Sequence, residues 1–138
     1  MTKVVLDTNV IIAAFVARGL SSSVFELCID RYEVIISEFI IKEISEKLTA
    51  KIKLPRERII EIIDFLKDSC TLVGYEKPKE KICRDEKDDE ILALAKNSES
   101  EYIITGDKDL LVLENFYGIR IINPRGLWEI SKDVGFYD

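Results

Sequence analysis

The chain has 138 residues, of which 47% are hydrophobic and 33% are charged, a composition typical of one globular domain. Histidine is absent, which excludes a Ser-His-Asp triad, a histidine-based ribonuclease and a histidine zinc site. The formal net charge of -6 argues against binding nucleic acid over the whole surface, unless several acids surround a divalent cation.

The predicted elements alternate between short apolar strands and longer helices. Ser37 is a suitable N-cap for a helix, and Pro55 suits a first helical turn. In chain order we predict a strand at 3–6, a helix at 21–30, a strand at 34–36, helices at about 37–51 and 56–67, a strand at 71–73, a helix at about 85–97, a strand at 102–105, a short helix at about 109–114, a strand at 120–122 and a final helix from Pro124. This alternation predicts an α/β fold: one domain over residues 1–138, built as an α/β/α sandwich around a central, mainly parallel sheet of about five strands.

Acidic and polar side chains follow two of these strands. Asp7, Thr8 and Asn9 come after the first strand, and Asp107 comes shortly after the strand that ends at Thr105. Ligands of open parallel sheets bind beyond the carboxyl ends of the strands, so we expect a site at this edge. A structural role is hard to assign to Asp7, because a charge that ends a buried strand is costly unless something pairs with it.

Two helices bring further acids toward the same edge. Glu43 lies beside an apolar stripe at helical spacing and can lean toward the sheet. Asp88 shares the buried face of its helix with the ILALA run, whereas Asp89 lies about a third of the way round and is the second candidate. Ordinary structural roles are open to several of these acids, since Asp85 and Asp109 suit helix caps and Glu43 suits a helix-edge charge.

The set of acids is more informative than any single member. The four acids that would converge on one edge are Asp7, Glu43, Asp88 and Asp107. They would repel one another, and a hard divalent cation removes that repulsion, because Mg²⁺ and Mn²⁺ prefer carboxylate oxygens as ligands. Such a site would bind a phosphodiester oxygen, lower the pKa of an attacking water molecule and leave a 5′-phosphate and a 3′-hydroxyl.

Four segments of the chain resemble, in order, the four motifs of PIN-domain nucleases. They read LDTNV at the start, SEFIIKEI in the second helical segment, DEKDDEILALA in the middle and YIITGDKDLL near the end. The resemblance covers essentially the whole chain, including its INPRGLWEI ending, and is greatest to toxins of toxin–antitoxin systems that are similar to VapC. One departure is Glu86, at a position where the family often has proline.

The resemblance implies a role for each matching position. The catalytic and metal-binding acids of a Mg²⁺- or Mn²⁺-dependent endoribonuclease would be Asp7, Glu43, Asp88 and Asp107. Thr8 and Asn9 would be polar supports of Asp7, and the other supporting positions would be Thr105, Asp89 and Asp109. The resemblance also implies an RNA substrate, an antitoxin protein as partner and a homodimer. The choice between Asp88 and Asp89 as the third acid stays open.

A locally basic segment surrounds Ala50. Its members are Lys42, Lys47, Lys51, Lys53, Arg56 and Arg58. They could track a phosphate backbone, or they could be the solvated surface of a helical hairpin. Near the acids themselves, Lys108 is the closest cation in sequence, and we expect Asp107 and Asp109 to pair with it.

Other functions fit the sequence less well. An aspartyl phosphatase of the haloacid-dehalogenase type needs a second aspartate two residues after Asp7, and this position is Asn9. A phospho-accepting receiver domain needs an acid on the middle strand, and the strand at 71–73 has none. A PIN-like module that binds RNA or protein with little or no cleavage stays open, although the presence of all four acids argues against it.

The remaining features concern the cysteines and the location of the protein. Cys28, Cys70 and Cys83 are widely spaced and form no paired motif, so we expect reduced thiols. No apolar run approaches the roughly 20 residues of a membrane span, and an acid occurs too early for a signal peptide. We therefore expect a cytoplasmic protein that does not associate with membranes.

Overall fold

Strands and helices alternate along the chain from Lys3 onward. A computed structural model describes residues 1–135, with side chains described as far as Lys132. The strands are β1 (Lys3–Leu6), β2 (Glu33–Ile36), β3 (Thr71–Leu72), β4 (Tyr102–Ile104), β5 (Asn115–Phe116) and β6 (Ile119–Ile122). The helices are α1 (Thr8–Val16), α2 (Leu20–Arg31), α3 (Glu38–Lys47, continued by a π-helical segment at Leu48–Ile52), α4 (Arg56–Ser69), α5 (Glu86–Asn97), α6 (Lys108–Leu111) and α7 (Pro124–Gly135).

The strands form one sheet in the order β3-β2-β1-β4-β6-β5. All neighbouring pairs are parallel except β5 and β6, which are antiparallel. The predicted α/β fold with a central, mainly parallel sheet is therefore confirmed, and β5 is an additional edge strand. The central strand β1 is apolar and buried, since Val4, Val5 and Leu6 are 0% exposed, as expected for a sheet covered on both faces.

The register of the sheet determines what emerges at its carboxyl edge. Leu6 of β1 is paired with Ile104 of β4. The next residue in each strand, Asp7 and Thr105, therefore leaves the sheet at the same level. The backbone N–H of Asp7 donates to the carbonyl of Ile104 over 2.9 Å, which extends the pairing to the first polar residue.

Helix α1 was not predicted, because its sequence gives no helical period. Thr8, Val10, Ile11 and Ile12 are all buried, and the helix packs against both α2 and α3. A helix covered on several sides needs no polar face, so its sequence reads as a continuous apolar run. The consequence for the site is that Thr8 and Asn9 lie in a first helical turn and not in an open loop.

The short strand β5 also had no signal in the sequence. It is joined to β6 by a two-residue turn at Tyr117 and Gly118, whose φ values are 52° and 83°. A two-residue hairpin turn of this kind requires positive φ at both positions, which glycine adopts freely and tyrosine rarely does. The side chain of Asn115 supports the turn by accepting from the backbone N–H of Gly118 over 3.0 Å.

Across residues 1–135, no single helix is long and apolar enough to cross a membrane. Helices α1 and α2 meet that test only as a pair, and they are bent by 108° relative to each other.

Candidate active site

The carboxylate of Asp7 lies at the carboxyl edge between β1 and β4. Thr105 donates its hydroxyl to Oδ2 of Asp7 over 2.6 Å, and the same hydroxyl oxygen accepts from the backbone N–H of Asp107 over 3.0 Å. One threonine thus links the acids that follow the two neighbouring strands. Asn9 adds a backbone hydrogen bond to the Asp7 carboxylate, which acts to lower its pKa.

Glu43 reaches the same edge from α3, which Ser37 caps by accepting from the backbone N–H of Ile40 over 3.2 Å. Although glutamate is seldom buried, Glu43 is only 8% exposed. Its Oε1 accepts from the hydroxyl of Thr8 over 2.7 Å, and its Oε2 lies 3.7 Å from Nζ of Lys87. The buried carboxylate is therefore oriented by a hydrogen bond on one oxygen and a cation near the other.

The adjacent acids Asp88 and Asp89 are both buried in α5 but have different surroundings. Asp89 accepts from the backbone N–H of Cys83 over 2.9 Å and from that of Ile82 over 3.2 Å, so it anchors the preceding connector to the helix. One carboxylate oxygen of Asp88 lies within 4.8 Å of one of Asp107, and burial, together with the negative charges of Asp107 and Asp7, raises the pKa of Asp88. Asp88 therefore faces the other acids, whereas Asp89 makes a structural contact.

A third aspartate approaches the cluster from α6. One carboxylate oxygen each from Asp88, Asp107 and Asp109 lies within 4.8 Å of the others. This triad differs from the predicted set by including Asp109, which also forms an ion pair. Nη2 of Arg84 is 2.7 Å from Oδ1 of Asp109, and Nε is 3.3 Å from Oδ2. The guanidinium lowers the pKa of Asp109 and occupies both of its oxygens. Asp88 and Asp107 are therefore better candidates for metal ligands than Asp109.

Burial and mutual repulsion disfavour ionisation within the cluster. Burial, with smaller contributions from the charges of Asp107 and Asp7, raises the pKa of Asp88 to about 7. Burial also raises the pKa of Asp7, with smaller contributions from Asp107 and Glu43. Glu43 and Asp107 are therefore close enough to Asp7 for their charges to affect its pKa. A compensating positive charge would therefore stabilise the ionised site.

One carboxylate oxygen of the cluster indicates whether these acids fit a metal ion. Oδ2 of Asp88 is buried and has no hydrogen-bond partner, which holds for no other buried side-chain oxygen or nitrogen among the described residues. An unpartnered buried carboxylate oxygen is costly unless a proton or a cation satisfies it. Hard divalent cations take oxygen ligands, so the residues present fit Mg²⁺ or Mn²⁺.

Several supporting contacts differ from those predicted. Thr8 supports Glu43 and not Asp7. The side chain of Asn9 accepts from Nζ of Lys47 over 3.0 Å, so only its backbone serves Asp7. Asp107 caps α6 by accepting from the backbone N–H of Asp109 over 2.8 Å, so the suggestion that Asp109 caps this helix was wrong.

Sequence reasoning missed the two cations at this site. Arg84 pairs with Asp109 and Lys87 lies beside Glu43, whereas no described ion pair includes Lys108. The expected pairing of Lys108 with its neighbouring acids was therefore wrong. The available signal was the alternation of charges in RDEKDD, where each cation directly precedes an aspartate in the third motif.

The cysteines offer no alternative nucleophile. Cys28, Cys70 and Cys83 are free and buried, as predicted. Burial raises the pKa of each thiol to about 12, and only the thiolate is a strong nucleophile. The thiols are therefore poor candidates for a catalytic nucleophile.

We expect Asp88→Asn to raise the melting temperature of the metal-free protein at pH 8 by roughly 3–6 °C. The pKa of Asp88 is raised from 3.8 to about 7 in the folded state, so the unfolded state ionises first, and stability is lost progressively as the pH rises from about 4 to about 7. The full cost is present above about pH 7 and disappears below about pH 4, where both states hold the proton. Thermal unfolding in chelator should therefore show a difference between variant and wild type that shrinks as the pH is lowered.

The matched control is Asp89→Asn, which weakens the anchor of the connector and should lower the melting temperature at both ends of this pH range. A drop in melting temperature for Asp88→Asn at pH 8, similar to that of the control, would mean that Asp88 stabilises the fold. In that case its ionised carboxylate would have a protein partner and no need of a cation.

Comparisons with known proteins extend these observations. The sequence model of the PIN domain matches residues 3–109. Among curated proteins, no match was found. Several solved structures have similar folds, of which three are as follows. The VapBC2 complex of Rickettsia felis, bound to a promoter DNA fragment, has a chain with a TM-score of 0.62 and 14% identity, covering 88% of this chain and 98% of that one.

The second similar structure is the VapC20 toxin of Mycobacterium tuberculosis, described as cleaving the sarcin-ricin loop. Its TM-score is 0.59 at 10% identity, with 85% of this chain and 98% of the toxin covered. The third is the FitAB complex bound to a DNA fragment, with a TM-score of 0.57, 14% identity and coverage of 88% and 94%. At these identities the likeness shows the fold alone, whereas the sequence match extends from β1 into α6.

Proposed function

Because this chain belongs to the PIN-domain family, we propose that it is a metal-dependent endoribonuclease. The metal would be held by Asp7, Glu43, Asp88 and Asp107, and the ion would be Mg²⁺ or Mn²⁺. The observation that carries this proposal is the buried, unpartnered Oδ2 of Asp88 within a cluster of acids that disfavour one another's ionisation.

The side chains around the acids have defined tasks in this proposal. When bound, the ion would supply Lewis-acid activation of the phosphodiester and of the attacking water molecule. Thr105 fixes Asp7 relative to the backbone of Asp107, and Thr8 fixes Glu43. These hydrogen bonds hold the carboxylates in place before substrate arrives, which reduces the reorganisation needed during the reaction.

RNA is the proposed substrate class. Carboxylates and a cation can cleave DNA equally well, so the site chemistry alone does not select RNA. The proposal for RNA comes from the family and from the similar fold of VapC20, which is described as cleaving the sarcin-ricin loop. Action on cellular RNA would place the protein in the cytoplasm.

We also propose that the protein is a toxin with an antitoxin partner and that it forms a homodimer. Two similar structures, VapBC2 and FitAB, are complexes bound to DNA fragments. An antitoxin could inhibit this site with an arginine, because a guanidinium pairs with carboxylates in a bidentate way and would compete with the cation. Light scattering of the purified protein at high concentration would test the dimer independently of the nuclease activity.

The function is tested by incubating the purified protein with end-labelled single-stranded RNA and with DNA of the same sequence, each in manganese. We expect cleavage of the RNA to products that carry a 5′-phosphate and a 3′-hydroxyl, because water attacks the phosphorus directly in this mechanism. Products that end in a 2′,3′-cyclic phosphate would contradict the proposed chemistry. Equal cleavage of DNA would overturn the assignment of RNA as the substrate class.

A further inference from the structure

We propose that Arg84 and Lys87 form a cationic rim that binds the phosphates of the RNA beside the cleaved bond. This inference rests on the proposed function and assigns the substrate contacts of the same site. Neither residue belongs to the set of acids that would hold the metal, and both lie where the connector enters α5. The rim is defined as these two side chains.

The fold itself brings the two rim cations to acids of the site. Two of the ion pairs among the described residues join neighbours on one helical face, Lys42 with Glu46 and Arg58 with Glu61. The two others join segments that are distant in sequence, Arg84 with Asp109 and Lys87 with Glu43. Tertiary structure therefore brings both rim cations to acids of the site.

The two rim cations are more exposed than the acids that they contact. The side chains of Arg84 and Lys87 are 88% and 60% exposed, whereas those of Asp109 and Glu43 are 33% and 10% exposed. Each cation thus reaches over a more buried acid while its own charged group stays in water. The Arg84–Asp109 pair is largely exposed and contributes little to stability, so exchanging Asp109 for a phosphate has a low cost. Glu43 is buried, but it keeps its hydrogen bond from Thr8, and would keep the bound metal, when Lys87 turns to a phosphate.

The rim cations also offset the negative charge of the site. Phosphates that flank the cleaved bond approach a cluster of carboxylates, and a bound cation would neutralise only part of that charge. Positive groups at the rim offset the remaining repulsion and concentrate the substrate near the site. The guanidinium of Arg84 already makes a two-pronged contact with Asp109, at 2.7 and 3.3 Å, and this fork also matches two phosphate oxygens.

The basic segment around Ala50 has a weaker claim to the role of the rim. Two of its members, Lys42 and Arg58, pair with acids on their own helices. Lys47 comes nearest to the site, by donating to the side chain of Asn9 over 3.0 Å, but it touches none of the four acids. The contacts of the described residues therefore favour Arg84 and Lys87.

The variant Asp109→Asn distinguishes phosphate binding by Arg84 from a purely structural role of Arg84. If Arg84 serves only to hold Asp109, removing either partner has the same effect on RNA binding. If Arg84 binds phosphate, removing Asp109 frees the guanidinium and the RNA affinity stays equal or increases. If the role is structural, the Arg84 and Asp109 variants both lose RNA affinity. If Arg84 binds phosphate, only the Arg84 variant loses affinity.

The experiment measures the affinity of fluorescein-labelled single-stranded RNA by anisotropy, in calcium buffer and at several salt concentrations. We expect Arg84→Ala and Lys87→Ala each to raise Kd roughly threefold or more and to reduce the magnitude of the slope of log K against log salt by about 0.7. Arg84→Lys should recover part of the affinity, because it keeps the charge and loses the fork. Matched controls are Arg31→Ala and Lys67→Ala, exposed cations at the ends of α2 and α4, which should leave both values unchanged.

Two results would overturn the rim. One is a loss of affinity in Asp109→Asn that equals the loss in Arg84→Ala, and the other is an unchanged Kd and salt slope in both rim variants. Cleavage kinetics in manganese provide a second readout, in which the rim variants should raise KM more than they lower kcat. Anisotropy does not depend on cleavage. A wild type that binds RNA through Arg84 but does not cleave it would therefore contradict the proposed nuclease activity and still support phosphate binding by the rim.

Discussion

Asp88→Asn should lower the rate of RNA cleavage by at least about 100-fold, because even the loss of a partner that merely orients a metal ligand costs about 10–100-fold. The substitution keeps the size of the side chain and removes one negative charge from the buried cluster. It also replaces one carboxylate oxygen with an amide nitrogen, in a group whose Oδ2 has no hydrogen-bond partner in the protein. The measurement is the single-turnover cleavage rate of labelled RNA in saturating manganese.

The adjacent Asp89→Asn is the matched control for this prediction. It makes the same chemical change one residue along the same helix, at a carboxylate whose partners are the backbone N–H groups of Ile82 and Cys83. We expect it to cost far less activity than Asp88→Asn, and to act mainly through stability. If Asp89→Asn were the inactive variant and Asp88→Asn remained active, the assignment of the third acid would be wrong.

Removal of divalent cations should abolish cleavage, and magnesium or manganese should restore it. Without a cation, the carboxylates of Asp7, Asp88 and Asp107 repel a phosphodiester. The rim cations Arg84 and Lys87 would hold phosphate, but they cannot activate the attacking water molecule as a metal ion does. Calcium should bind and yet support little cleavage, since its longer and looser coordination positions an attacking water molecule poorly. The rate should be measured after dialysis against chelator and after addition of each ion.

Cleavage that persists in chelator at the rate seen in manganese would contradict a metal mechanism. In that event the carboxylates would have to act as acid and base by themselves. Full activity in calcium would be a different contradiction, because it would show that the cation is needed for binding or folding and not for its coordination geometry.

The positions of the acids could be predicted because they follow from strand ends and helical faces. Asp7 ends an apolar strand, and Asp107 comes two residues beyond Thr105, so a parallel sheet necessarily brings them to one edge. Glu43 and Asp88 lie next to buried faces of amphipathic helices, which fixes their direction. These arguments need only the local periods of the chain.

The hydrogen bonds of the supporting residues could not be predicted in the same way. Whether Thr8 bonds to Asp7 or to Glu43 depends on how α1 packs against α3, and α1 itself has no readable period. The capping of α6 by Asp107 in place of Asp109 depends on a shift of two residues in the helix start. Such shifts are decided by tertiary packing, which sequence patterns do not encode.

The ion pairs of the site were also beyond sequence reasoning, because they join residues far apart in the chain. Arg84 and Asp109 are 25 residues apart. Lys108 is adjacent to Asp109 in the sequence, so sequence distance alone favoured Lys108 as its partner. Long flexible cations can reach several acids, and only the positions of the backbone decide among them. The rim was therefore found in the structure and not in the motifs.

The central claim is that Asp88 and its neighbouring acids hold a cation that cleaves RNA. Its most direct test compares wild type and Asp88→Asn, purified in parallel, for cleavage of the same RNA in manganese and in chelator. We predict that only wild type in manganese cleaves the RNA, and that adding manganese in excess of chelator restores wild type but not the variant. Equal cleavage by both proteins in chelator would contradict the account.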